Sequence, residues 1–89
     1  MLERINWSNL YEGRYVTTND GRLFKIVKES YTRGWSIIEK VGTDSWIIRF
    51  RLYEENYNSP SNHGLWDNEI TKELNREFLL NKLLNETEA

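Results

Sequence analysis

The chain has 89 residues, a net charge of −2, twelve aromatic residues other than histidine (four Trp, five Tyr and three Phe) and no Cys. This length predicts one domain over residues 1–89, and the rings supply a modest core, because each buried aromatic side chain removes roughly 150–250 Å² from water. The balanced charge excludes a global electrostatic footprint for nucleic acid, and the lack of Cys excludes a disulfide framework and favours a reducing, cytoplasmic location.

The first half of the chain predicts a small antiparallel sheet. Residues 1–12 have irregularly spaced apolar side chains and predict an N-terminal arm or a short helix. Residues 13–53 predict a β-meander of about four strands, because β-branched and aromatic runs are joined by tight turns. The turn at Asn19-Asp20-Gly21 contains residues that tolerate positive φ and predicts a hairpin. A partly curled, SH3-like sheet is one form that such a meander takes.

The run 46–53 has the clearest period of two in the sequence. A period of two with one apolar face predicts a half-buried antiparallel strand. The expected core face carries Trp46, Ile48, Phe50 and Leu52, and the expected outward face carries Ile47, Arg49, Arg51 and Tyr53.

The second half predicts a loop and a helix, which makes the fold class α+β. Residues 54–66 form a polar loop interrupted by Pro and Gly. Residues 67–85 predict an amphipathic helix with Asp67 or Asn68 as its N-cap, and residues 86–89 a frayed tail. The apolar stripe expected to cover the sheet is Ile70, Leu74, Phe78, Leu80 and Leu84.

Catalytic and metal-binding chemistry has little support. The single histidine, His63, lies in the polar loop and could form a triad only with Ser59 or Ser61 and Asp67, without the strained turn that presents a nucleophile. One His and no Cys leave no metal-ligand set. The sequence therefore predicts a protein without enzymatic activity, cofactor or metal. No window approaches eighteen apolar residues, so no membrane contact is expected.

One candidate surface is the outward face of the sheet. Basic and aromatic side chains interleaved on a small sheet suit single-stranded nucleic acid, because rings stack on bases and cations follow phosphates. The residues that would form it are Lys25, Lys40, Arg49, Arg51 and Tyr53. In the alternative interpretation, these side chains are only the solvated side of an amphipathic sheet.

A second candidate surface is the C-terminal helix. Leu79 and Leu83 are four residues apart and lie roughly opposite the expected core stripe, so they favour a protein partner or a second copy of the chain. In the alternative interpretation, the N-terminal arm wraps the helix end and buries Leu2, Ile5 and Leu10 there.

The remaining aromatic residues suggest further contacts with a partner. Tyr57, Trp66 and Trp35 are candidate anchors, although in a chain this small they also suit a core or its rim. Frequent Asn, Ile and Lys with a single Pro resemble the usage of A+T-rich genomes. The leading hypothesis is a protein-binding module, such as a phage or mobile-element accessory protein that binds or inhibits a host protein. The competing hypothesis is a nucleic-acid-binding β-domain.

Overall fold

A computed structural model describes residues 2–29, 34–57 and 64–87. Within these ranges the elements are six strands, a 3₁₀ turn at Trp7–Asn9 and two helices. In chain order they are β1 (Glu3–Arg4), β2 (Tyr15–Thr17), β3 (Leu23–Lys28), β4 (Trp35–Val41), β5 (Ser45–Leu52), α1 (Glu54–Tyr57), β6 (Trp66–Asp67) and α2 (Glu69–Thr87).

The strands form one open antiparallel sheet in the order β1-β6-β2-β3-β4-β5. The predicted meander is confirmed as β2 to β5, and the α+β class with a C-terminal helix is confirmed. The four strands expected of the meander are therefore observed, and two short strands outside it extend the sheet, because β6 pairs with both β1 and β2. The described sheet is not closed, and an SH3-like curl stays a prediction.

Several element boundaries differ from the predicted ones. The N-terminal segment contains β1 and the 3₁₀ turn, and the predicted polar loop contains α1 at its start and Trp66 of β6 at its end. Helix α2 begins at Glu69, two residues later than expected, and includes two residues assigned to the frayed tail. Of that tail, residues 88 and 89 lie outside the described part of the chain.

The core lies between the sheet and the segments that cover one of its faces, here called the inner face. Phe24 of β3 and Ile37 of β4 lie on this face and are buried. They pack with residues of the N-terminal segment, α1 and the approach to β6, namely Ile5, Leu10, Tyr57 and Leu65. Trp7 contacts the Tyr57 ring with 5.4 Å between centroids.

A β-bulge in β5 changes which side chains reach this core. Ile37 pairs with Phe50, whereas the next residue of β4, Ile38, pairs with Ile48, so Arg49 is an extra residue in β5. Since paired residues share a face, Ile48 lies on the opposite, outer face from Phe50.

The predicted core face of the strand is therefore wrong in its first half. Phe50 and Leu52 reach the core, and Phe50 contacts Phe24 edge to face at 5.8 Å. Trp46 pairs with Lys40 and lies on the outer face with Ile48, which is 52% exposed.

Candidate functional site

Helix α2 begins with a reciprocal cap. The Thr71 N–H donates to Asn68 Oδ1 at 2.8 Å, and the Asn68 N–H donates to Thr71 Oγ1 at 2.8 Å. This satisfies one of the N–H groups that every helix start leaves without an intrahelical partner. Of the two predicted caps, Asn68 is therefore confirmed.

The side of α2 that faces the sheet is partly polar. Asn75 is 7% exposed; its Oδ1 accepts from the Tyr15 N–H at 2.6 Å, and its Nδ2 donates to the Tyr15 carbonyl at 2.8 Å. The side-chain amide thus supplies the two hydrogen bonds that another strand would give to the edge of β2. One turn later, Phe78 packs on Gly13, where an added Cβ would lie 2.7 Å from the ring and φ is +90°.

The predicted apolar stripe is consequently wrong for three of its five residues. Leu74 and Phe78 are partly buried. Ile70 is 64% exposed, because Thr71 and Asn75 occupy the sheet-facing side instead. Leu80 and Leu84 lie in the last turns, where every side chain from Leu79 to Glu86 is exposed.

These last turns present a continuous apolar surface, the leucine patch, made of Leu79, Leu80, Leu83 and Leu84. Their exposed fractions are 47%, 55%, 57% and 51%. At about 100° per residue the four side chains span an arc of about 140°, whose centre lies about 130° from that of Thr71 and Asn75 and whose edge at Leu79 is about 40° from Asn75. The patch joins the predicted Leu79–Leu83 pair to Leu80 and Leu84, which sequence periodicity assigned to the core. The signal for it was the repeated Leu-Leu pair at i,i+4.

The N-terminal arm does not cover this patch. Ile5 and Leu10 are buried in the core, and the Ile5 N–H donates to the Leu65 carbonyl at 2.9 Å. Leu2 is 39% exposed. The alternative in which these three residues wrap the helix end is therefore wrong.

Charged residues flank both ends of the patch. On the helical wheel, Arg76 lies within the leucine arc one turn before Leu80, and Glu86 lies beside Leu79 and Leu83 at the other end. Further towards the helix start, Lys72 pairs with Glu3 of β1 at 2.9 Å. Glu77, three residues before Leu80, lies as far beyond Leu84 on the wheel as Glu86 lies beyond Leu79. The N-terminal end of the patch thus carries Arg76 near its middle and Glu77 at one edge, and the C-terminal end carries Glu86 at the other edge.

The aromatic residues proposed as partner anchors lie elsewhere. Tyr57 is 1% exposed, its hydroxyl donates to the Ile5 carbonyl, and burial raises its pKa. It therefore stabilises the core and offers no surface to a partner. Trp35 and Trp66 are partly buried in β4 and β6, and Trp35 packs against the core cluster. None of the three joins the leucine patch.

The residues proposed for nucleic-acid binding are divided by the bulge. Lys25 and Lys40 lie on the outer face, as does Arg51, whereas the extra residue Arg49 pairs with Glu39. Arg51 pairs with Glu29, which also accepts from the Tyr53 hydroxyl at 3.3 Å. Both arginines are therefore already matched by carboxylates.

Lys25 has a different environment. Its Nζ lies 5.2 Å from the Tyr15 ring centroid and 5.1 Å from that of Trp46, which makes two cation–π contacts. The outer face thus retains one lysine between two rings, near the exposed Lys40.

Glu39 connects the β2–β3 turn to the bulge, since it accepts from Arg22 Nε and Arg49 Nε, both at 3.0 Å. Desolvation acts to raise the pKa of Glu39, but the hydrogen bonds from the two arginines outweigh it, so the pKa lies below its ordinary 4.5. A lowered carboxyl pKa stabilises the fold above the ordinary pKa, and that stabilisation is lost as pH falls through the folded-state value.

We expect Glu39→Gln to be less stable than the parent chain at neutral pH, with a difference that narrows steadily once pH falls below 4.5. Urea unfolding of both proteins across a pH series measures this, with Glu77→Gln on the exposed surface of α2 as the control. A difference that stays constant into the acid range would contradict the role given to the Glu39 carboxylate.

Comparison with known proteins adds no assignment: no family model, curated protein or solved structure matches the chain. Among residues 2–29, 34–57 and 64–87, no group of three or more His, Cys, Asp or Glu side chains could hold a metal ion. In the same ranges, no helix is long and apolar enough to cross a membrane. His63, Ser59 and Ser61 lie outside the described residues.

Proposed function

We propose that the chain is a non-enzymatic protein-binding module that contacts its partner through the leucine patch. The observation that carries this proposal is the exposure of four neighbouring leucines, each between 47% and 57%, at the end of one helix. Single exposed leucines are ordinary on protein surfaces, whereas a continuous apolar patch rimmed by charge is typical of a binding site.

The energetics favour a covered patch. Full burial of a leucine side chain contributes about 1.5–3 kcal/mol, so four half-exposed leucines leave roughly 3–6 kcal/mol of burial unrealised in the isolated chain. A partner groove that accepts residues at i, i+1, i+4 and i+5 of a helix would recover this free energy. An amphipathic helix in an apolar groove is a common mode of peptide and protein recognition.

The proposed partner class follows from the sequence. Residue usage typical of A+T-rich genomes favours a phage or mobile-element accessory protein that acts in the cytoplasm and binds or inhibits a host protein. In that setting the sheet and its core would serve to fix the first turns of α2, and the projecting turns would make the contact.

Capture from a bacterial lysate with matched variants tests this function. We expect Leu80→Asp and Leu83→Asp to weaken partner binding at least about tenfold, which corresponds to about 1.4 kcal/mol, because each places a carboxylate in an apolar contact. Asn81→Asp adds the same charge to the same turn outside the leucine arc and should bind like the parent chain. Capture that is equal for Leu83→Asp and Asn81→Asp would overturn the proposal.

Nucleic-acid binding is the second candidate, and the position of Lys25 between the Tyr15 and Trp46 rings favours it. A base stacked on a ring with its phosphate near Lys25 or Lys40 would use this arrangement. The expected result is a salt-dependent affinity for a fluorescent single strand that falls in Lys25→Glu. No binding at low salt would remove this candidate.

A further inference from the structure

We infer that the leucine patch binds the same patch of a second copy of this chain, with the two α2 helices antiparallel. This inference rests on the proposed function, because it assumes that the patch contacts protein. Identical surfaces can pair around a two-fold axis when each surface complements itself. The evidence for such self-complementarity comes from the charges, the space around the helix and the area of the patch.

Arg76 and Glu86 complement each other only when the helices run in opposite directions. In an antiparallel pair centred between Leu80 and Leu83, Leu80 of one copy lies level with Leu83 of the other. Arg76 of each copy then lies within about one residue rise, about 1.5 Å along the axis, of the level of Glu86 in the partner. Two opposite-charge contacts therefore flank the leucines. In a parallel pair, Arg76 meets Arg76 and Glu86 meets Glu86.

The position of the sheet relative to α2 also favours an antiparallel pair. Side chains of the first turns of α2 face β2 and β6, whereas every side chain from Leu79 to Glu86 is exposed. An antiparallel pair that overlaps over these last turns places the two sheets at opposite ends of the helix pair. A parallel pair would place both sheets at the same end, beside the charged side chains of Lys72 and Arg76.

The area of the patch sets the strength of the contact. An overlap from Arg76 to Thr87 is twelve residues, or about 18 Å of helix. About three helical turns per copy bury less surface than the roughly 800 Å² per partner of a standard interface. The structure therefore favours a small, reversible contact, and at low concentration the helix end is available to a second partner.

Sedimentation equilibrium of the full 89-residue chain from micromolar to millimolar concentration tests the inference. We expect a monomer–dimer equilibrium that Leu83→Asp shifts at least tenfold towards monomer and that Asn81→Asp leaves unchanged. Circular dichroism checks that both variants keep their helix. A parent chain that is monomeric at millimolar concentration, or a dimer that Leu83→Asp leaves intact, would overturn the inference.

Charge reversal tests the orientation. Arg76→Glu alone and Glu86→Arg alone should each weaken the dimer, because each creates two like-charge contacts, and the double variant should restore it. In a parallel dimer, the strength of the dimer would change little in any of these three variants. Each position would still face the same charge in the other copy, whichever sign that charge has. Failure here is distinguishable from failure of the proposed function: a monomeric chain that still captures a lysate protein through Leu83 keeps the function and loses only the second copy as its partner.

Discussion

Replacement of Asn75 by Ala is expected to lower the free energy of unfolding by about 2–4 kcal/mol, because a buried polar group left without its partner costs roughly 1–3 kcal/mol. Two such groups are affected, the N–H and the carbonyl of Tyr15, which both bond to the Asn75 amide. The better helix propensity of Ala offsets less than about 0.7 kcal/mol of this loss. Such a loss is a large fraction of the roughly 5–15 kcal/mol that stabilises an ordinary domain.

Urea unfolding measures this effect, and α2 offers a matched control. Asn81 is the same residue type in the same helix but is exposed, so Asn81→Ala should leave stability unchanged or slightly raised. Asn75→Asp should be as harmful as Asn75→Ala, because a carboxylate cannot donate to the Tyr15 carbonyl. Equal stability of Asn75→Ala and Asn81→Ala would contradict the role of the amide at the edge of β2.

Replacement of Arg14 by Met is expected to cost about 3 kcal/mol, since removal of one partner from a buried ion pair leaves the other charge without compensation. Arg14 pairs with Asp67 where the two side chains are 14% and 12% exposed, and Arg14 Nη1 also donates to the Asn9 carbonyl at 2.6 Å. Asp67 in turn accepts from the Thr71 hydroxyl at 3.3 Å. One guanidinium thus connects the N-terminal segment, β6 and the start of α2.

The control is Arg51→Met, which removes an ion pair from an arginine that is 54% exposed. That change should cost less than about 1 kcal/mol, as exposed pairs usually do. Arg14→Lys should lie between the two, because an ammonium group keeps the charge but lacks the planar fork that reaches two acceptors. The interpretation fails if Arg14→Met and Arg51→Met lose the same stability in urea.

The local features of the sheet could be predicted because their causes are local. Gly21 adopts φ +85° in the turn after Asn19 and Asp20, and β2 and β3 pair as the hairpin that these residues predict. Strands β1 and β6 could not be predicted in this way. Each has two residues, and their pairing joins Glu3 to Asp67 across most of the chain, so neither has a period of two to detect.

The bulge in β5 shows a different limit. Trp46, Ile48, Phe50 and Leu52 alternate without interruption in the sequence, and periodicity assigns all four to one face. One extra residue at Arg49 turns the first two to the other face, and the alternation itself contains no sign of this. The ion pair of Glu39 with Arg49 lies at the bulge and is a tertiary contact that sequence spacing does not show.

The hydrophobic periodicity of α2 predicted the wrong core-facing side, for a physical reason that bears on function. A hydrophobic stripe is expected to face its own core, but here Thr71 and Asn75 face the sheet because they satisfy polar groups there. The leucines that complete the apolar period lie where α2 has passed the sheet. Asn75 is a poor helix former in mid-helix, but so is the exposed Asn81, so residue type alone does not show that the sheet-facing side is polar.

Photo-crosslinking tests most directly whether the leucine patch is the contact surface. p-Benzoylphenylalanine is placed at position 80, inside the patch, or at position 81, outside it, and each full chain is irradiated both purified and in a bacterial lysate. The structure predicts a protein adduct from position 80 and none from position 81, with the dimer as the adduct of the purified chain. Equal adducts from both positions, or none from position 80 in either sample, would contradict a protein-binding role for the patch.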